Sequence, residues 1–302
     1  MRTPDFIVIG HLKCGSTSLS SYMAAHPDIY IKHDFEPKYI SSQFVDYPQN
    51  GPGSKAVDYW VIKDKMEYLR LFEGRNESLV GENSSELFYY ASQAAPLIKN
   101  TFGDIRIIVL LRNPVKRAFS AYMHMVRDQR EPLSFAEAMS VEADRIKDNW
   151  DTLYYYREGG FYHDRLETYL KSFSRVHLIC TEELASDQEA ELRKLCAFMD
   201  VPFDKGMLIP SRYNVSGIPR WPWLRHQMMN DQSILRRLAR PVARTVFNPA
   251  LRSRLFNRML NANLEKRELE ASLQDSLKAT YGEDVKKLSR LTGKNMSALW
   301  GF

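Results

Sequence analysis

Residues 10–17 read GHLKCGST and follow directly on the apolar run FIVI at 6–9. A strand, a loop bounded by glycines and small hydroxyl residues opening a helix together turn backbone N–H groups and a positive helix end toward one point. Such a point binds an anion. A nucleoside-triphosphate loop of the form G-x-x-x-x-G-K-[ST] carries its lysine after the second glycine. Here Gly10, Gly15 and Thr17 hold the expected places, but residue 16 is serine and the lysine is Lys13, in mid-loop. The backbone cradle is kept while its charge has moved beside the anion. Taken alone, the two glycines could equally shape a plain strand-to-helix turn, with Lys13 solvated.

Outward from this loop, short apolar runs alternate with longer mixed segments, the pattern of an α/β fold with a central parallel sheet flanked by helices. Strands are predicted at 6–9, 79–82, 105–111 and 176–181. Helices are predicted at 16–25, closed by His26-Pro27, and from Pro114 to about Gln129, with proline in the first turn. Helical spacing recurs at 161–173 and 187–199, and the tail 264–291 reads as two helices broken near Gly282. Segments 46–56 and 209–223 are rich in Pro, Gly and Ser and read as loops. We expect a single domain over 1–302, with 219–302 a helical, Arg-rich part of it.

Composition is that of a soluble globular protein, 44% hydrophobic and 26% charged. Cys14, Cys180 and Cys196 are odd in number and far apart, so free thiols are expected, with neither a disulfide framework nor a metal cluster. The opening MRTPDFIVIG leaves no room for a secretory leader, and no apolar stretch reaches the roughly 20 residues of a membrane span, so a cytoplasmic location is expected. Charge is uneven. Residues 219–260 carry nine arginines against one acid, Asp231, a net +8 within a chain of +5, which leaves −3 for the rest. The arginine-rich segment 220–258 has three readings: a solvated helical face, contact with an anionic acceptor or the membrane periphery, and a nucleic-acid surface. No groove-reading helix or RNA-binding motif accompanies the last, so no nucleic-acid partner is expected.

A second stretch, IIVLLRNPVKRAFSAYMH, places Arg112 at the carboxyl end of a strand and Ser120 two turns into the next helix. Ligands of open α/β sheets bind outside the carboxyl ends of the strands, so Arg112 and the 10–17 loop can meet one ligand. A guanidinium suits a phosphate monoester because its planar donors bind two oxygens at once. Together the two segments resemble the sulfotransferases that use 3′-phosphoadenosine 5′-phosphosulfate (PAPS), whose fold is P-loop NTPase-like. The loop GHLKCGSTSL matches the family's G-x-x-K-x-G-[ST]-[ST]-x-L, and RNPVKRAFSAY matches R-[ND]-P-x-x-R-x-x-S-x-Y. HPDIYIKHDFEPKY, RYNVSGIPR and LTGKNMSALWGF extend the resemblance over nearly the whole chain.

The resemblance implies transfer of a sulfuryl group from PAPS to an acceptor, leaving adenosine 3′,5′-bisphosphate, with no metal required. It assigns Lys13 to the bridging oxygen of the leaving phosphate, and Cys14, Gly15, Ser16, Thr17 and Ser18 to the 5′-phosphate. Arg112 and Ser120 fall to the 3′-phosphate, with Arg212 and Gly217 as looser matches in a loop closing over it. Glu36 occupies the place of the general base in carbohydrate-type members, and His33 and His124 are rival bases. Asn83 stands where glycan-type enzymes carry a lysine in Glu-Lys-[ST]-Pro, and Asn83 or Ser84 is expected to bond donor or acceptor. The expected acceptor is a carbohydrate, glycolipid-like compound or other small metabolite; oligomeric state is left open. Two other readings remain, a noncatalytic PAPS-binding protein and a P-loop kinase. The kinase would need lysine at Ser16.

Overall fold

A computed structural model of the chain describes residues 2–32, 35–209, 218–219, 264–265 and 267–302. Its centre is a parallel sheet of five strands: β1 (Phe6–Gly10), β2 (Ile29–Ile31), β3 (Leu79–Asn83), β4 (Arg106–Leu111) and β5 (Val176–Cys180), in the order β2-β3-β1-β4-β5. Every residue of β1 is buried, because both faces of the sheet are covered. Ile7 and Ile9 face the larger hydrophobic core, Phe6 and Val8 the smaller one.

The helices follow from local signals. α1 (Ser16–Ala24) starts after Gly15, and His26 closes the turn beyond it, its Nδ1 accepting from Asp28 N at 3.0 Å while Nε2 lies 2.7 Å from Pro202 O. After the short α2 (Ser54–Val57) and α3 (Lys65–Arg70), α4 (Ala91–Phe102) buries Ala91, Ala94, Ala95 and Ile98. α5 (Pro114–Arg127) is capped by Asn113, whose Oδ1 accepts from Val115 N and Lys116 N. α6 (Phe135–Ser140), with a full capping box on Ser134, and α7 (Glu142–Lys147) precede α8 (His163–Ser172). α9 (Thr181–Ser186) and α10 (Gln188–Met199) follow β5.

The predicted strands, and the predicted helices as far as residue 199, are present within a residue or two, while the tail helix begins at Ala271 rather than at 264. Two readings change. The segment after His26 contains β2, three residues too short for a periodicity to register. The tail is not broken at Gly282: α11 runs unbroken over Ala271–Thr292, and α12 (Met296–Trp300) ends the fold. Leu277, Tyr281, Val285 and Leu288 form one buried stripe along α11. Burying each stabilises by about 1.5–3 kcal/mol, which outweighs the roughly 1 kcal/mol cost of a glycine in mid-helix. A separate antiparallel pair joins Ile218–Pro219 to Leu264–Glu265. His33, Arg212, Gly217 and the arginine-rich segment 220–258 lie outside the described residues. Among the described residues, no helix is long and apolar enough to cross a membrane.

Candidate active site

The 10–17 loop leaves the carboxyl end of the central strand. At Gly10 a Cβ would stand 2.4 Å from Leu110 O of the adjacent strand, so only glycine lets the chain turn there. Gly15 has φ +97° and Lys13 φ +75°, a left-handed conformation that costs a lysine energy. The first bond into α1 is donated by Ser18 N to Gly15 O, 3.1 Å. The amides of Ser16 and Thr17 precede it, and N–H groups at a helix start have no intrahelical acceptor and suit an anion.

Three anchors hold this loop from below. Arg117, fully buried on α5, bonds His11 Nδ1 at 3.2 Å and donates to the carbonyls of Tyr155 and Tyr156. Burial and the Arg117 charge hold the His11 pKa well below its usual value, so the ring is neutral. Thr181, at the end of β5, reaches Cys14 O and Leu111 O with its hydroxyl. Arg112 donates to Lys13 O at 3.1 Å, and its own carbonyl accepts from Tyr162 Oη at 3.0 Å. Sequence reasoning assigned no role to Arg117 or Thr181. Arg117 was findable, since it shares a helical face with Ser120 and Ala121, both buried.

Above the loop the cations gather. The Lys13 ammonium has no hydrogen-bond or ion-pair partner among the described residues, and burial, Arg127 and Arg112 lower its pKa to about 8. A half-buried ammonium beside two guanidiniums fits a ligand that brings several negative charges. Ser120 sits on the inner face of α5, 9% exposed. One turn on, His124 Nδ1 lies 2.6 Å from Arg127 Nη2, and burial followed by the Lys13 charge pushes its pKa down to about 3. Thr17 is exposed and Ser18 half-buried at the start of α1.

Facing the cations from the other side of β1 is Glu36. Its Oε1 accepts from Ser85 Oγ at 2.8 Å and from Asn83 Nδ2 at 3.0 Å, while Oε2 lies 3.4 Å from Ser85 N. Burial, then the Glu86 carboxylate, raises its pKa to about 8, with Ser85 and Lys38 restraining the rise. Lys38 itself is committed to Asp58, 3.0 Å away. Ser85 Oγ also meets Ser16 Oγ at 2.9 Å. Glu36 and the anion loop are thus joined by one hydroxyl. Ser84, expected here, turns the other way and donates to Glu82 Oε2 at 2.7 Å. The period of two along an extended chain was the available signal: Asn83 and Ser85 share a face, Glu82 and Ser84 the opposite one.

A model of the sulfotransferase family matches residues 4–205, more than half of the protein. The chain belongs to the sulfotransferase family. A solved structure of a family member, a sulfotransferase from Alicyclobacillus acidocaldarius, superposes with a TM-score of 0.75 at 32% identity, covering 99% of each chain. Among curated relatives, a bifunctional heparan sulfate N-deacetylase/N-sulfotransferase 1 of Caenorhabditis briggsae is 26% identical over 66% of this chain. Membrane-associated sulfotransferase kil1 of Dictyostelium discoideum is 33% identical over 48%. The chain spans 23% and 29% of the lengths of these two relatives. Within the family, the kinase reading falls with its missing lysine at Ser16.

Proposed function

We propose that the protein transfers a sulfuryl group from PAPS to a hydroxyl of a carbohydrate or glycolipid-like acceptor. The observation that carries this reading is the pairing, across β1, of an ammonium on the 10–17 loop that has no hydrogen-bond or ion-pair partner among the described residues with a half-buried carboxylate tied to the same loop through Ser85. Donor groups and a base at one crevice suit transfer better than storage or sensing of the nucleotide.

In this reading the loop amides, with Cys14, Gly15, Ser16, Thr17 and Ser18, hold the 5′-phosphosulfate, and Arg112 and Ser120 hold the 3′-phosphate. Glu36 as carboxylate takes the acceptor's hydroxyl proton. The acceptor oxygen then bonds sulfur as the bond from sulfur to the bridging oxygen breaks, and the electron pair passes to the phosphate. Lys13, half-buried beside the loop, meets that growing charge as a fixed positive group. A histidine with a pKa near 3 is too weak a base to compete, which favours Glu36 over His124. Asn83 orients the carboxylate in the place of a glycan-type lysine. The heparan sulfate named for one relative supports a glycan acceptor, and the whole chain is read as one catalytic domain. For the basic segment 220–258, contact with an anionic acceptor or the membrane periphery stands beside the plain reading of a solvated helical face.

Sulfate transfer from labelled PAPS to fractionated glycans and metabolites tests this. Glu36→Gln and Lys13→Ala should each lose at least about a hundredfold in turnover while still binding adenosine 3′,5′-bisphosphate. Wild-type turnover in Glu36→Gln sinks the base assignment, and a chain that binds no PAPS sinks the reading.

A further inference from the structure

Ser85 occupies an unusual position. Its single hydroxyl proton faces three acceptors: Glu36 Oε1 at 2.8 Å, Ser16 Oγ at 2.9 Å and, farther off, Asn83 Oδ1 at 3.3 Å. A hydroxyl donates once, so these contacts cannot all be satisfied in the same direction. Hydrogen bonds to an ionised carboxylate are roughly twice as strong as neutral ones, so the charge on Glu36 decides where the Ser85 proton points.

We infer that Ser85 and Ser16 form a two-hydroxyl relay that reports the protonation of Glu36 to the anion loop. This rests on Glu36 being the base. With Glu36 ionised, Ser85 donates to Oε1 and Ser16 donates to Ser85, which keeps the Ser16 proton away from the bound anion. Glu36 Oε2, the oxygen with only a 3.4 Å contact to Ser85 N, takes the acceptor proton. Oε1 then becomes a weak acceptor that Asn83 Nδ2, 3.0 Å away, still satisfies. The Ser85 hydroxyl is released to donate to Ser16, and the Ser16 proton turns into the loop. A donor therefore arrives at the leaving phosphate as charge develops there. No proton leaves the relay and no bond other than hydrogen bonds changes in it; the acceptor's proton remains on Glu36. Ser85 is a positioning residue, acting through Glu36 and Ser16.

The test compares Ser85→Ala, Ser16→Ala, their double variant and Ser85→Thr, with Glu36→Gln alongside, in steady-state sulfate transfer across pH. Circular dichroism and thermal unfolding of each variant serve as the check on folding. Ser85→Ala should lower kcat about tenfold or more with KM for PAPS little changed, and should move the acid limb of kcat/KM upward, because Glu36 loses a donor to its charged form. Ser85→Thr should recover most of the rate. The double variant should be no slower than the slower single one, as expected of residues acting in series. Losses that multiply in the double variant, or an acid limb that stays in place in Ser85→Ala, overturn the relay while leaving Glu36 as base. A fully active Glu36→Gln overturns the base reading and the relay with it.

Discussion

Two groups in the crevice have pKa values shifted toward each other. Glu36 is raised to about 8 by burial and by Glu86, and Lys13 is lowered to about 8 by burial and its arginine neighbours. In the proposed mechanism the reactive pair is carboxylate and ammonium, so in the free enzyme kcat/KM should climb as pH rises toward about 8 and fall beyond it. Bound donor anions favour the charged lysine, so the falling limb of kcat should lie at higher pH than that of kcat/KM. Profiles from pH 6 to 10 should show both limbs. Lys13→Arg, which does not deprotonate there, should abolish the falling one, and a falling limb that persists would reassign it. Lys13, Arg112 and Ser120 entered the candidate site from motif spacing, and Glu36 and Asn83 from the family resemblance, and the fold sets these last two 3.0 Å apart. Ser85 was not legible in the sequence, because a hydroxyl acquires a role only from what folding places against it.

At the level of elements, the turn presenting Arg112 is held by the far end of the chain. Asn113 Nδ2 donates to Trp300 O at 2.8 Å, Trp300 Nε1 donates to Glu182 Oε2 at 3.0 Å, and Glu182 Oε1 accepts from Asn113 N at 3.0 Å. A ring of three residues from β4–α5, α9 and α12 thus fixes the strand end. Trp300 is 4% exposed. Trp300→Ala should destabilise by about 3–5 kcal/mol and weaken binding of adenosine 3′,5′-bisphosphate; calorimetric unfolding with nucleotide titration checks both, and unchanged affinity would show the turn to be self-sufficient. The sheet and most helices could be read from apolar runs, caps and prolines. β2 could not, since three residues carry no period. Gly282 misled because a breaker's local cost is visible in sequence and the stripe that overrides it becomes visible only once the helix is docked.

Considered whole, the molecule carries a strongly perturbed carboxyl beneath its site. Burial raises Glu82 to about 7, with Ser84 and Tyr68 bonding it and Glu86 adding repulsion. A carboxyl with a raised folded pKa stabilises fully below its unfolded value and loses that contribution as pH rises through the folded one. The stability difference between wild type and Glu82→Gln should therefore fall by about 3 kcal/mol between pH 4.5 and 7 and then level off. Urea unfolding at several pH values measures it; a pH-independent difference would mean the carboxyl is ionised throughout. The strand order has one more consequence. Glu36 follows β2 and Ser85 follows β3, while Arg112 and Thr181 follow β4 and β5, so β1 separates the proposed base and its partners from the proposed 3′-phosphate contact and the loop's anchor. Inheritance can rewrite either side without editing the other, and the eight residues 10–17 alone answer to both.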